Sequence, residues 1–92
     1  MATEKRWTPY ENSPYAKEFR RDDGWQLSYV KPASAPFHWK VLMPGGIAPP
    51  QGHQNRNEEL GIDKVVEAQD WADKLISDIE SRFRWRPPSR II

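Results

Sequence analysis

The side chains that most often bind metals or catalyse reactions are few in this chain and are not spaced as a site would require. There are two histidines, His38 and His53, and no cysteine. Neither histidine belongs to a His-x3-His or His-Glu-x2-His pattern, so the sequence predicts no metal site. His38 falls on the polar side of a predicted strand, where we expect an ordinary solvated imidazole.

Four carboxylates between residues 67 and 78 are the other candidates for acid and base chemistry. General acid and base catalysis needs such groups in a concave and partly desolvated site. Their spacing instead places them on the convex outer side of a predicted helix, where a solvated face is expected. They are Glu67, Asp70, Asp73 and Asp78. Because no glycine-rich phosphate loop or nucleophile motif is present, the sequence predicts a protein without catalytic residues or cofactor.

Tryptophan and arginine offer binding chemistry instead. Trp7 follows Lys5 and Arg6, and Trp85 stands in the run Arg82-Phe83-Arg84-Trp85-Arg86. Cations that alternate with aromatic rings suit stacking on nucleic-acid bases, and they are equally typical of hot spots in protein interfaces. For Trp85 a further interpretation stays open, in which the ring folds back and caps an edge of the sheet.

Two binding hypotheses follow, and each has its own residues. In the first, a protein partner is bound by the terminal aromatic and basic residues and by the helix. The residues of this site are Trp85, Arg84, Arg86, Trp7, Trp71, Asp70 and Glu67. In the second, nucleic acid is bound by the outer face of the sheet and by the tail. The residues of that site are Arg20, Lys40, Arg82, Arg84, Arg86 and Arg90.

The charge of the chain leaves both hypotheses open. The formal net charge of the 92 residues is +1, which is too small to indicate a nucleic-acid partner. The charge is uneven, with −5 over residues 46–81 and +4 over residues 82–92, so a partner of either sign is compatible. No apolar run approaches the roughly 18 residues that span a membrane, and no signal peptide is evident. We therefore expect a soluble cytoplasmic protein.

The first half of the chain is predicted to form a three-stranded antiparallel meander. Apolar and polar residues alternate with a period of two, and Asp22-Asp23-Gly24 suits a three-residue hairpin turn. Pairing across this turn puts Phe19 opposite Leu27. Pairing across the next turn puts Tyr29 opposite Trp39, so both hairpins agree on one apolar face. That face contains Phe19, Trp25, Leu27, Tyr29, Phe37, Trp39, Val41 and Met43.

A helix over residues 13–23 is the competing interpretation of the first strand. Ser13 is a favourable helix cap, and Pro14 would occupy the first helical position, where proline is common. Gly24 would then end the helix. The strand is favoured because it places Phe19 in register with the other apolar residues.

A long loop and one helix are predicted for the second half of the chain. Residues 44–61 show no periodicity and are expected to be a loop, partly flexible around residues 51–57. Residues 62–83 carry apolar side chains every three or four positions, which predicts an amphipathic helix. Asp63 is its predicted N-cap, and Pro87-Pro88 prevents its continuation. The apolar stripe contains Val65, Ala68, Ala72, Leu75, Ile76, Ile79 and Phe83, with Ile62 and Trp71 at its margins.

The predicted fold is thus a single α+β domain of the order β-β-β-α. A three-stranded antiparallel meander packs against one C-terminal helix. Its segments are an extended arm (1–14), the meander (15–43), the loop (44–61), the helix (62–83) and an Arg-rich aromatic tail (84–92). The layout resembles that of the arm-binding domains of phage integrases and of plant AP2 domains, although no sequence motif of either family is present.

The predicted function is non-catalytic. We expect a small regulator or inhibitor, of the kind that phages and mobile elements encode, which binds a protein partner. A nucleic-acid-binding module is the alternative, and salt dependence of the affinity would distinguish the two.

Overall fold

One antiparallel sheet and one C-terminal helix make up the fold. A computed structural model describes residues 6–14, 16–31, 33–34, 36–50 and 54–83. Neighbouring strands in the chain are neighbours in the sheet, in the order β1-β2-β3-β4-β5, and the α+β class is confirmed. The elements are β1 (Trp7–Asn12), β2 (Lys17–Arg21), β3 (Gln26–Val30), β4 (His38–Leu42), β5 (Arg56–Asn57) and α1 (Val65–Phe83).

The prediction of three strands is wrong, because the sheet has five. The sequence pattern places β1 in an extended arm, since the segment is mostly polar and contains a proline. An edge strand tolerates this composition because one side of its backbone needs no ladder partner. Pro9 pairs with Phe19, and the register then shifts by one residue at Tyr10. Such irregularities are common at sheet edges and help to prevent pairing with another chain.

The second unpredicted strand, β5, lies within the predicted loop and is held by asparagine side chains. The Val41 backbone N–H donates to the Asn55 carbonyl at 3.0 Å, and Asn55 Nδ2 donates to the Val41 carbonyl at 2.9 Å. Asn57 Oδ1 then accepts hydrogen bonds from two following backbone N–H groups, at 2.9 and 3.2 Å. Asparagine favours such local turns. Residues 51–53 of the predicted loop lie outside the described residues.

The strand register predicted for the meander is confirmed. Phe19 pairs with Leu27 between β2 and β3. Tyr29 pairs with Trp39 between β3 and β4. The competing helix over residues 13–23 is not formed, because β2 occupies its second half. Cross-strand packing therefore outweighs the local helix-start signal.

The core lies between the inner face of the sheet and one stripe of α1. The helix buries four small and branched side chains there: Ala68, Ala72, Ile76 and Ile79. The sheet buries six: Phe19, Trp25, Leu27, Trp39, Val41 and Met43. Partly buried residues surround this cluster: Trp7, Tyr29, Leu60, Val65, Trp71 and Leu75. The predicted helix stripe is confirmed for the described side chains, which do not include that of Phe83.

Two side chains at the start of β4 differ from the prediction. Phe37, expected on the buried face, is 46% exposed, because it precedes the strand and stacks on the half-buried Tyr29. His38, expected to be solvated, is only 2% exposed, and its Nδ1 lies 3.2 Å from the Pro36 carbonyl oxygen. His38 pairs with Val30 of β3, and β4 lies between β3 and β5 in the sheet.

The helix begins later than predicted, and Asp63 is not its N-cap. α1 starts at Val65. The first helical hydrogen bond runs from the Ala68 N–H to the Lys64 carbonyl at 2.9 Å, so Lys64 occupies the cap position. The preceding residues form a turn, which the Lys64 N–H closes on the Gly61 carbonyl at 3.1 Å.

Gly24→Ala is expected to destabilise the fold by about 2 kcal/mol, because L-residues rarely adopt positive φ. Gly24 has a φ of 101°, and an added Cβ would lie 3.0 Å from the Pro44 Cβ. Gly46→Ala is the matched control, since Gly46 has a φ of 77° but no atom lies within 4 Å of the added Cβ. It should cost about 1 kcal/mol. Urea unfolding measures both, and equal losses would contradict a clash with Pro44.

Candidate functional site

Several residues predicted to bind a partner lie in the tail, outside the described residues. They are Arg84, Trp85, Arg86 and Arg90. Arg82 is described, and its exposed side chain donates from Nε to Asp78 Oδ1 at 2.9 Å. Pairs with this i,i+4 spacing stabilise a helix by a few tenths of a kcal/mol. Arg82 is therefore engaged with the helix itself.

Trp7, the other terminal tryptophan, belongs to the fold and not to a free arm. It lies in β1, is half-buried and packs against the core. Its indole Nε1 donates to Asp73 Oδ1 at 3.0 Å. The guanidinium carbon of Arg21 lies 5.8 Å from the centroid of the ring, within the range of a cation–π contact. The indole thus binds this chain's own helix and its own β2.

Arg21 is the centre of a polar cluster that joins β1, β2 and α1. Its side chain is 7% exposed and forms a bidentate pair with Asp23, at 2.8 and 2.7 Å. Its Nη1 donates to Asp73 Oδ1 at 2.9 Å. Burial lowers the pKa of the Arg21 guanidinium, but hydrogen bonds to the two carboxylates outweigh burial and the pKa is raised. A guanidinium this firmly charged does no proton transfer, so the cluster is a structural clamp.

The assignment of Asp73 to the solvated helix face is wrong, because its carboxylate contacts Trp7 and Arg21. The sequence contained a signal for this contact. The confirmed register places Arg21 beside Trp25, on the inner face of the sheet, and their backbones are bonded at 2.8 Å. A cation that points inward needs a carboxylate from the element that covers it, which is α1.

The outer face of the sheet holds Arg20 and Lys40, the cations predicted to bind nucleic acid. The Arg20 guanidinium lies 4.0 Å from the centroid of the Tyr10 ring, and its Nη2 donates to Glu18 at 3.0 Å. Lys40 stands in register with Arg56 of β5, a neighbour that the sequence did not indicate. The face therefore holds one ion-paired arginine and one pair of adjacent cations.

A polar cleft of about 510 Å³ lies between β5 and α1, and we call it the acidic cleft. It is lined by Gln54, Arg56, Asn57, Glu58, Glu59 and Trp71. The indole of Trp71 is half-buried, with part of its surface against the core and part in the cleft. Glu58 and Glu59 were missed by the sequence analysis, because only the pairing of β5 brings them to the helix.

Two further carboxylates extend the negative charge of the acidic cleft along α1. Glu67 precedes Trp71 by four residues, so the two side chains share one face of the helix. Asp70 adjoins Trp71 in the chain, and both carboxylates are exposed. Of the residues predicted to bind a protein, Trp71 therefore lines the cleft and Glu67 shares its helix face, whereas Asp70 lies about 100° from Trp71 around the helix.

A second cleft, of about 400 Å³, lies where β3 leads to β4. It is lined by Pro14, Tyr29, Phe37 and Ile62, and we call it the aromatic cleft. The rings of Tyr29 and Phe37 are stacked, with centroids 5.5 Å apart. Both rings are core residues in the sequence prediction, so this cleft was not anticipated.

Comparison of the chain with known proteins gives no match. No protein-family model, curated protein or solved structure matches the chain significantly.

Within the described residues, no group of three His, Cys, Asp or Glu side chains could hold a metal ion. The same part of the chain contains no helix whose length and apolar character would allow it to cross a bilayer. The five-stranded sheet also differs from the three-stranded layout of the integrase arm-binding and AP2 domains.

Proposed function

We propose that this protein is a non-catalytic binding protein that docks onto a basic segment of another protein through the acidic cleft. It would act as a regulator or inhibitor by occupying that segment. The observation that supports this function is the half-buried indole of Trp71 in a cleft that also holds Glu58 and Glu59. The face of an indole and the oxygens of carboxylates both attract Arg and Lys side chains.

The charges around the cleft favour a cationic partner. Of the lining residues, Glu58 and Glu59 are acidic and Arg56 is basic. Around them, the exposed Glu67 and Asp70 of α1 add two carboxylates, against Lys74 of α1 and Lys40, which pairs with Arg56. A phosphate backbone would meet repulsion on this surface, whereas a basic peptide would meet attraction. The wider segment 46–81 carries −5 and adds to this field.

The expected affinity of a short basic segment is modest. A cation over an indole contributes about 0.5–2 kcal/mol, depending on its desolvation. Each exposed ion pair contributes about 0–1 kcal/mol. One such contact and two ion pairs at their upper values sum to about 4 kcal/mol, which corresponds to a Kd of about 1 mM for an isolated peptide, and a folded partner would add contacts to this.

The test is a titration with an acetylated Arg-Arg-Ala-Arg-Arg peptide, followed by NMR chemical shifts of the backbone amides and of the Trp71 indole. The double variant Glu58→Gln, Glu59→Gln removes two negative charges from the cleft. We expect binding to weaken about tenfold, which corresponds to ~1.4 kcal/mol or two exposed ion pairs.

A matched control separates the acidic cleft from the net charge of the protein. Glu11→Gln with Glu18→Gln removes the same charge from the β1–β2 pair at the opposite edge of the sheet. The Kd of the control should stay within about twofold of wild type, because exposed charges farther away than the Debye length are screened. Equal weakening by both double variants would contradict a binding site in the acidic cleft.

Nucleic-acid binding by the outer sheet face is the second candidate, and the adjacent cations Lys40 and Arg56 favour it. A single-stranded oligonucleotide distinguishes the two functions when it replaces the peptide in the same titration. The double variant Glu58→Gln, Glu59→Gln should then bind the oligonucleotide more tightly than wild type. The affinity for the oligonucleotide should also fall steeply as the salt concentration rises. We favour the protein partner because Arg20, the other cation of this face, is already paired with Glu18.

A further inference from the structure

We propose that the aromatic cleft is a second docking site, and that its occupant is an acidic segment of a partner protein. The segment would insert an apolar side chain between Pro14, Phe37 and Ile62 and place a carboxylate near Lys31. This site uses no residue of the acidic cleft, so the inference does not rest on the proposed function.

The wall of the aromatic cleft is a fixed platform. Phe37 is 46% exposed, yet its ring is stacked on Tyr29 with an interplanar angle of 25°. Tyr29 in turn meets the buried Trp39 edge to face, with centroids 5.1 Å apart. The Phe37 ring is thus held by Tyr29, which itself packs on a buried ring, and it loses little entropy when a ligand covers it.

Cations border the apolar floor of the cleft. Lys31 Nζ lies 5.6 Å from the centroid of the Phe37 ring, and the side chain of Lys31 is exposed. Lys17 of β2 stands in register with Tyr29 of β3, and its Nζ donates to Asn12 Oδ1 at 2.5 Å. Asp63 follows Ile62 in the chain, and its Oδ1 lies close to Gly61.

An apolar floor with a cationic rim fits an apolar side chain that is followed by a carboxylate. A basic segment, which suits the acidic cleft, would instead meet Lys31 and Lys17 without a compensating charge. The two clefts therefore select partners of opposite charge, and one molecule could hold both segments at once.

The probe for this site is an acetylated Asp-Glu-Leu-Leu-Glu peptide, titrated into the full chain and followed by backbone amide shifts. Phe37→Ala should weaken binding at least about tenfold, since it removes the apolar platform. Lys31→Gln should weaken binding about threefold, as expected for one exposed ion pair. Ile47→Ala is the matched control, because Ile47 is 60% exposed elsewhere on the surface and should leave the Kd unchanged.

Three results would overturn the inference. The first is the absence of saturable shifts around residues 29–37 at millimolar peptide. The second is an equal affinity for a Lys-Lys-Leu-Leu-Lys peptide, which would show that the charge of the rim does not select acidic over basic segments. The third is a weakening of peptide binding by Ile47→Ala that equals the weakening by Phe37→Ala. Melting curves of each variant confirm that the fold is retained. The double variant Glu58→Gln, Glu59→Gln should bind the acidic peptide as tightly as wild type, which separates the aromatic cleft from the acidic cleft.

Discussion

Trp39→Ala is expected to remove about 3–5 kcal/mol from the free energy of unfolding, as large aromatic truncations in a core do. Trp39 is fully buried, and its ring centroid lies 5.1 Å from that of Tyr29 and 6.4 Å from that of Phe19. Its Nε1 also donates to the Gly61 carbonyl at 2.9 Å. The substitution therefore leaves a cavity and removes one of the two hydrogen bonds that the Gly61 carbonyl accepts, the other coming from the Lys64 N–H. Since a small domain is stable by only about 5–15 kcal/mol, it should unfold at much milder conditions.

Two further variants separate the causes of this loss. Trp39→Phe keeps most of the packing but loses the hydrogen bond to Gly61, so we expect a loss of about 1–2 kcal/mol from that bond, plus a smaller packing loss. Phe37→Ala truncates an exposed ring directly before β4 and should cost about 1 kcal/mol. Urea unfolding followed by far-UV circular dichroism measures all three. If Trp39→Ala melts within a few degrees of wild type, Trp39 is not the centre of the core.

Arg21→Met is expected to cost about 2–4 kcal/mol. Removing one partner of a fully buried ion pair costs about 3–5 kcal/mol, because the remaining charge is left uncompensated. The Arg21 side chain is 7% exposed, but that of Asp73 is 43% exposed and can regain water, which reduces the expected loss. Asp23 and Asp73 would then repel each other, and β2 would lose its ion pair with α1.

Arg20→Met is the matched control for Arg21→Met. Arg20 is the neighbouring residue and also pairs with a carboxylate, Glu18 at 3.0 Å, but its side chain is 45% exposed. An exposed pair contributes about 0–1 kcal/mol, so the control should unfold close to wild type. Equal losses for the two variants, measured by urea unfolding, would contradict the buried clamp.

The contribution of Arg21 should not depend on pH over the ordinary range. Its pKa is raised in the folded protein, so its stabilising effect is fully present below the pKa of the unfolded chain and is lost only at higher pH. Both values lie far above neutrality. The difference in stability between wild type and Arg21→Met should therefore stay constant between about pH 6 and 10.

Local periodicity explains which parts of the fold could be predicted. The register of β2, β3 and β4 follows from alternation alone, because a slip of one residue would turn Phe19, Leu27 and Val41 to the other face. The buried stripe of α1 follows from its spacing of three and four residues in the same way. Both signals are carried by residues near one another in the chain.

The two edge strands gave no such signal. β1 exposes five of its six residues, and β5 has only two residues, so neither shows an apolar alternation. They join the sheet because its edges offer unpaired backbone groups to any adjacent segment.

Patterns in the sequence were sufficient to predict the α+β class, the meander register, the helix stripe and the placement of Trp71 with Glu67 and Asp70 on one helix. They did not reveal that Glu58 and Glu59 complete a cleft with Trp71, that Asp73 turns inward to Arg21, or that Phe37 stands exposed beside Tyr29. The physical reason is separation along the chain. Residues within one element share a face through backbone geometry, whereas contacts between distant elements depend on how the edges pair and how the helix lies across the sheet.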